Sequence, residues 1–173
     1  RQPGGQSLGA TEFEIIDRYF RARRLRRKDV RLGIGDDGAI VRPPADQDLV
    51  IATDTLVADV HFPANAPAYA VGHKALAVNL SDLAAMGAEP AWASLALTVP
   101  EVDESWLKAF SEGFFSLADS FNVDLIGGDT TRGPMSITVT VHGFVPNDGA
   151  VRRRGARPGD RIYVTGSLGD AAL

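Results

Sequence analysis

Between Ala91 and Ile126 the chain carries a strand signal, a helix signal and a second strand signal in close succession. Ala91–Val99 alternates in hydropathy and stops at Pro100. Asp103 then supplies an N-cap, and Trp106, Leu107, Phe110, Phe114 and Leu117 recur at the i, i+3, i+4 spacing of one helical face as far as about Asn122. Val123-Asp124-Leu125-Ile126 follows as a short strand. An aromatic stripe of this kind reads as core rather than as a cofactor box, and Trp92 is expected near the edge of a sheet or on its helix face.

The rest of the chain repeats the pattern. Thr11 and Glu14 form a capping box opening a helix to about Arg24, with Phe13, Ile16 and Phe20 on the side that packs against a sheet. Ala39-Ile40-Val41 is a short strand stopped by Pro43-Pro44, and Leu49-Val50-Ile51-Ala52 is a buried-type strand delivering Thr53-Asp54-Thr55 at its end. Pro67 to Met86 is a second helix, with Gly87 at C′ and Pro90 ending the segment. Ser136 to Val145 is a long alternating strand, and Arg161 to Thr165 is a further one. Residues 1–10 read as a flexible leader and 11–146 as one domain. Residues 147–173 read as a linker and the start of a truncated C-terminal domain, so the chain is expected to be a fragment of something longer.

Composition narrows the chemistry. A chain of 173 residues, 45% of them hydrophobic, is long enough for one well-packed domain and short for two. Its 18 Lys and Arg against 22 Asp and Glu give a formal net charge of −4, which offers no general attraction to nucleic acid or to an anionic membrane. The basic cluster at Arg21, Arg23, Arg24, Arg26, Arg27 and Lys28 reads as a solvated helix end complementing the helix dipole, and no function is assigned to it. No cysteine is present, which excludes disulfides, thiolate zinc sites and cysteine nucleophiles, and the expected compartment is the cytoplasm. No run of about 18 apolar residues suggests a membrane-spanning helix.

Carboxylates recur at four separated places: Asp36-Asp37, Asp54, Asp82 and Asp129. Gly33-Ile34-Gly35-Asp36-Asp37-Gly38 matches GxGxxG in form, but a strand follows instead of the helix that would receive a pyrophosphate, and two carboxylates would repel one. Beside Mg²⁺ the same two acids become useful, although an Asp/Gly turn also accounts for them. Thr53-Asp54-Thr55 could supply one charged ligand with hydroxyl partners, or be an Asx- or ST-turn. Asn79 and Asp82 lie three apart on one helix, so a carboxamide and a carboxylate are expected on a shared face. Gly127-Gly128-Asp129-Thr130-Thr131-Arg132-Gly133-Pro134 reads as a loop combining close backbone approach with oxygen ligands and a cation. His61, His73 and His142 read as solvated or hydrogen-bonded. Oxygen-only donors point to a hard cation, with Mg²⁺ first, and Mg²⁺ among several carboxylates most often serves a polyphosphate. No GxxxxGK[ST] exists, so any use of nucleotide follows a different plan.

Four stretches in this order closely resemble the thiamine-monophosphate kinases, members of the aminoimidazole-ribonucleotide-synthetase-like superfamily of ATP-using enzymes. They are Leu32-Gly33-Ile34-Gly35-Asp36-Asp37, Thr53-Asp54-Thr55-Leu56-Val57 with His61-Phe62, Lys74 to Ala88 containing Asn79-Leu80-Ser81-Asp82, and Gly127 to Pro134. The resemblance extends over about residues 11 to 173. It implies an α+β domain with a mixed, mainly antiparallel sheet of about four strands, helices on one face, and the sheet pairing with that of a second subunit in a dimer barrel, with ATP near that interface. It further implies ATP-dependent phosphorylation of thiamine monophosphate to thiamine diphosphate, assisted by several Mg²⁺ ions and without nucleic acid or membrane. Asp37, Thr53, Asp54, Asp82 and Asp129 match magnesium ligands, Gly128, Asp129 and Arg153 match ATP contacts, and His61 matches a substrate contact. No side chain is assigned as a catalytic acid or base. Ala52 departs from the pattern, standing where Ser or Thr is usual. Another synthetase of the superfamily and a non-catalytic nucleotide-binding dimerisation module are the alternative readings.

Overall fold

The computed structural model describes residues 12–21, 25–164 and 166. The expected leader, the Thr11 cap and residues 167–173 lie outside them. α1 (Glu12–Ile15) continues as a π-helical turn at Ile16–Arg21, and β1 (Val30–Leu32) and β2 (Ile40–Val41) form an antiparallel ribbon. Then come β3 (Gln47–Val57), α2 (Ala68–Ala85), β4 (Glu89–Val99), α3 (Glu104–Ser120), β5 (Asp124–Arg132) and β6 (Ser136–Pro146).

The four long strands form one sheet in the order β3-β6-β4-β5. β6 is antiparallel to both β3 and β4, whereas β4 and β5 are parallel and joined through α3. The chain is therefore α+β with a mixed, mainly antiparallel sheet, as expected. α2 and α3 pack together and cover one face. Alternation sends Leu95, Leu97 and Val99 of β4 and Ile137, Val139 and Val141 of β6 into that layer, where they meet Leu76, Leu83, Phe110 and Phe114. The Trp106–Phe110–Phe114 stripe is core, as its spacing implies.

Both long helices end as their sequences dictate. The Asp103 side chain accepts from the backbone N–H groups of Ser105 and Trp106, a cap that contributes about 1 kcal/mol. α2 closes in a Schellman motif: Gly87 (φ 71°) donates to Ala84 and Ala88 donates to Leu83.

The opposite face of the sheet is largely uncovered by the described residues. Across it run Thr53, Thr55, Thr138, Thr140, Ser94, Ala96 and Asp129, with Thr53 Oγ1 2.9 Å from Thr140 Oγ1 and Thr55 Oγ1 2.8 Å from Thr138 Oγ1. Among the described residues only one end is capped, where the β1–β2 ribbon packs Val30 on Trp92, Ile126 and Phe144. Trp92 is thus in the sheet's interior strand and on the face away from the helices. Its ring meets Phe144 edge-on at 5.0 Å and its Nε1–H donates to Asp29 at 3.0 Å. Burial pushes the Asp29 carboxyl up, but hydrogen bonds from Arg27 and Trp92 and the Arg27 charge prevail and hold it below its ordinary value.

Three expected elements differ. Thr53-Asp54-Thr55 lies within β3 rather than at its end, because hydroxyl partners on β6 extend the ladder. Gly127 to Arg132 is strand rather than loop, since β4 supplies a parallel partner along the whole stretch. Arg161–Val164 forms no strand; Ile162, Tyr163 and Val164 are exposed, with no neighbouring strand among the described residues to pair with.

Candidate functional site

One irregularity in β5 decides what its glycines face. Ala93 is opposite Leu125 and Ser94 is opposite Gly127, so Ile126 is an extra residue bulged out of the parallel ladder. Beyond the bulge Gly128 is opposite Leu95 and Asp129 is opposite Ala96, which sends the Asp129 carboxylate to the open face. Gly128 has φ 150°, and a Cβ on it would sit 1.8 Å from the Leu95 carbonyl oxygen; only glycine fits there. Gly127 differs, since a Cβ there would meet nothing within 4 Å.

The space in front of Gly127 is a cleft of about 430 Å³ between β5, the π-helical turn and the β1–β2 loop. The loop contributes Gly35 to Ala39, the turn contributes Asp17 and Arg21, and β5 contributes Gly127 to Thr130. Asp36, Asp37, Gly128 and Asp129, which are far apart in sequence, therefore share one cavity. Asp36 accepts the Asp37 backbone N–H at 2.8 Å, as an Asp/Gly turn would, and leaves the Asp37 carboxylate exposed. Arg21 closes over Gly35, where a Cβ would lie 2.8 Å from its guanidinium carbon, and it also pairs with Asp17 at 3.2 Å. This cation in the cleft was not singled out from the sequence, where it is one of six basic residues in a cluster.

The other expected ligands lie elsewhere. Asp54 is on the far edge strand β3, and pairing runs Asp54, Val139, Leu95, Gly128 across the sheet. Three strand spacings of about 4.8 Å put it about 14 Å from β5. Asp54 shares the helix side with Leu56, while Asp129 is on the open side. Asn79 and Asp82 do not share an environment: Asn79 is fully buried and bonded to the Asp54 backbone, whereas Asp82 is exposed. His61 follows β3 in a turn, exposed, with its Nδ1 accepting the Val57 N–H at 3.0 Å and its carbonyl accepting from Lys74 Nζ. A neutral imidazole that accepts at Nδ1 carries its proton on Nε2, so His61 offers solvent a donor. Arg153 is exposed in the irregular segment after β6, and Ala52 is half-buried and offers a backbone carbonyl but no side-chain oxygen.

Among the described residues no three His, Asp or Glu side chains converge to hold an ion by themselves. Nor does any hydrogen bond or ion pair engage the carboxylates of Asp37, Asp54, Asp82 or Asp129 among those residues. Asp46, Glu101 and Glu112 are equally free, so it is the shared cleft that distinguishes Asp37 and Asp129. An all-oxygen set of one or two carboxylates fits Mg²⁺, which keeps water and takes phosphate oxygens for its remaining positions.

Residues 35–145 match the family described as AIR synthase related protein, N-terminal domain. The chain belongs to this AIR synthase related family. The family match begins at Gly35 of the cleft loop and ends in β6, so it takes in all the long strands. The chain is 58% identical over 165 residues to the thiamine-monophosphate kinase of Escherichia coli K12, covering 95% of this chain and 51% of that protein. The crystal structure of thiamine-monophosphate kinase from Stenotrophomonas maltophilia K279a superposes with a TM-score of 0.83 at 57% identity, over 91% of this chain and 50% of that one. AaThiL complexed with AMPPCP and TMP superposes with a TM-score of 0.62 at 33% identity, over 84% of this chain and 45% of that one. The chain spans about half the length of the relatives it matches.

Proposed function

We propose that the protein is a cytoplasmic kinase that transfers the γ-phosphoryl group of ATP to thiamine monophosphate, forming thiamine diphosphate. The observation that carries this reading is the likeness, 58% identical along nearly the whole chain, to a thiamine-monophosphate kinase. The cleft supports it: Asp37 and Asp129 flank a backbone left bare at Gly127 and Gly128. In this reading a phosphate oxygen of the acceptor attacks the γ-phosphorus, the bond to the β–γ bridging oxygen breaks, and ADP leaves with that electron pair.

Asp37, Thr53, Asp54, Asp82 and Asp129 would hold Mg²⁺, which supplies charge neutralisation on the phosphates. Gly127 and Gly128 let the polyphosphate approach the strand, and Gly128, Asp129 and Arg153 contact ATP. Arg21 adds a fixed cation at the cleft wall. His61, with its donor at Nε2, binds the phosphate of thiamine monophosphate as a hydrogen-bond donor rather than as a base.

The protein works as a homodimer in which the open sheet faces of two copies close into a barrel. The uncovered sheet face supports this. Thr53, Thr55, Thr138, Thr140, Ala96 and Asp129 lie across that face, with no helix packed on it among the described residues.

The test is to incubate the protein with ATP, Mg²⁺ and thiamine monophosphate and follow thiamine diphosphate by chromatography. Stoichiometric formation of ADP and thiamine diphosphate is expected, reduced by about two orders of magnitude or more in Asp129→Asn. ADP without thiamine diphosphate, or no turnover by protein that carries every segment of its relatives, would falsify the assignment.

A further inference from the structure

Asn79 is the buried polar side chain of α2, with no exposed surface. Its two amide atoms do different jobs. Nδ2 donates to the Ala75 carbonyl one turn back in the same helix, at 2.9 Å. Oδ1 accepts the backbone N–H of Asp54 at 3.0 Å, across 25 positions of sequence and between two elements. β3 is an edge strand, so amides pointing away from β6 have no strand to bond to. Asn79 takes one of them, at the residue whose carboxylate is free of any partner among the described residues. The same helix carries Asp82 one turn further on, exposed.

We propose that Asn79 is a positioning residue that locks the backbone of Asp54 to α2, so that the Asp54 carboxylate is preset to hold a divalent cation. An aliphatic residue of the same size would fill the space equally well but leave the Asp54 amide unpaired and the strand edge free to shift. The buried amide keeps both of its own groups satisfied and spans the two elements that bear Asp54 and Asp82. The proposal rests on Asp54 being a cation ligand.

A merely structural Asn79 would lower stability without a selective effect on the cation, and the experiment separates the two. The probe is Mn²⁺, titrated into the ¹⁵N-labelled chain while paramagnetic broadening of the Asp54 and Asp129 amides is followed. Asn79→Leu is compared with Leu83→Ala, a cavity variant on the same helix at a fully buried position with no part in the site. Melting temperatures and hydrogen exchange of the Asp54 amide are recorded for each. The expected result is a loss of about tenfold or more in Mn²⁺ affinity at Asp54 for Asn79→Leu, with faster exchange of that amide. Leu83→Ala is expected to melt lower yet to bind Mn²⁺ at Asp54 as the parent does. If Asn79→Leu does not fold, Asn79→Ser, whose hydroxyl is one bond shorter than the amide oxygen, takes its place. Equal losses in both variants, or unchanged affinity in the Asn79 variant, would overturn the positioning role while the cation assignment stands. Broadening at Asp129 but not at Asp54 in the parent chain removes Asp54 as a ligand and this proposal with it. No broadening at either site removes the cation reading itself.

Discussion

Gly127 and Gly128 are neighbours in sequence with opposite steric requirements. At Gly128 a Cβ would overlap the Leu95 carbonyl at 1.8 Å, so Gly128→Ala should cost about 3 kcal/mol or more in urea denaturation. At Gly127 a Cβ has open space, so Gly127→Ala should change stability by less than about 1 kcal/mol. It should nevertheless weaken binding of a Mg²⁺–ATP analogue on the order of tenfold, equivalent to about 1.4 kcal/mol, by putting a methyl group in the cleft. Calorimetry on both variants checks the pair. His142 makes a second residue-level case. Burial pushes its imidazole below the ordinary 6.5, partly offset by a hydrogen bond with the Trp92 backbone, and its Nδ1 has no partner among the described residues. Because the folded value is depressed, the unfolded chain takes up the proton first as pH falls through about 6.5. Stability that is fully present above that pH is therefore lost below it. Urea midpoints measured from about pH 7.5 to about pH 5 should show this slope, reduced in His142→Gln. The sequence marked both glycines as suited to close approach; the bulge at Ile126, which gives them different roles, depends on pairing with β4 and carries no local signature.

Among the elements, α2 and α3 touch through a reciprocal pair of glycines. A Cβ on Gly72 would lie 2.0 Å from the Phe110 carbonyl oxygen, and one on Gly113 would lie 1.9 Å from that of Tyr69. Each helix thus presents a bare backbone to the other's carbonyl, which brings the two axes together and lets Phe110 and Phe114 reach the sheet. Gly113→Ala gains about 1 kcal/mol of helix propensity but meets backbone on the facing helix. A net loss of about 2 kcal/mol or more is expected by chemical denaturation, whereas Gly38→Ala, with nothing within 4 Å, should be close to neutral. The helices themselves were readable from caps and periodicity: Asp103 begins α3, Gly87 ends α2, and the aromatic stripe is buried. Strand extents were less readable. β3 and β5 continue through Thr53-Asp54-Thr55 and Gly127 to Arg132 because neighbouring strands pair with them, and a partner's ladder is invisible in local composition.

At the scale of the whole molecule the uncovered sheet face is the main consequence of the fold. Ala96 is exposed near its middle, in the transverse row Thr55, Thr138, Ala96, Asp129, and Leu49 and Ile51 are exposed on β3. If this face is the homodimer interface, a side chain as large as arginine at its centre has no room there. Analytical ultracentrifugation should give a dimer for the parent protein and a monomer for Ala96→Arg, with the urea midpoint of the monomer unit unchanged. A parent protein that sediments as a monomer at high concentration would count against the barrel.

Local chemistry by itself determined α2 and α3, the caps at Gly87 and Asp103, the aromatic core stripe and the inventory of oxygen donors at Asp36-Asp37, Asp54, Asp82 and Asp129. Each of these depends on residues within one or two turns of one another, or on side-chain type alone. Tertiary structure decided which donors meet. Asp37 and Asp129 come together because the bulge at Ile126 turns Asp129 to the open face and the β1–β2 loop closes over it. Asp54 is kept apart from them by three strand spacings and by the side of the sheet its parity selects. Asn79, read in sequence as a polar residue sharing a helix face with Asp82, is joined to Asp54 only because α2 crosses the free edge of β3. Sheet order, register and strand parity are long-range properties, set by which segments pair, and no local signal in the chain encodes them.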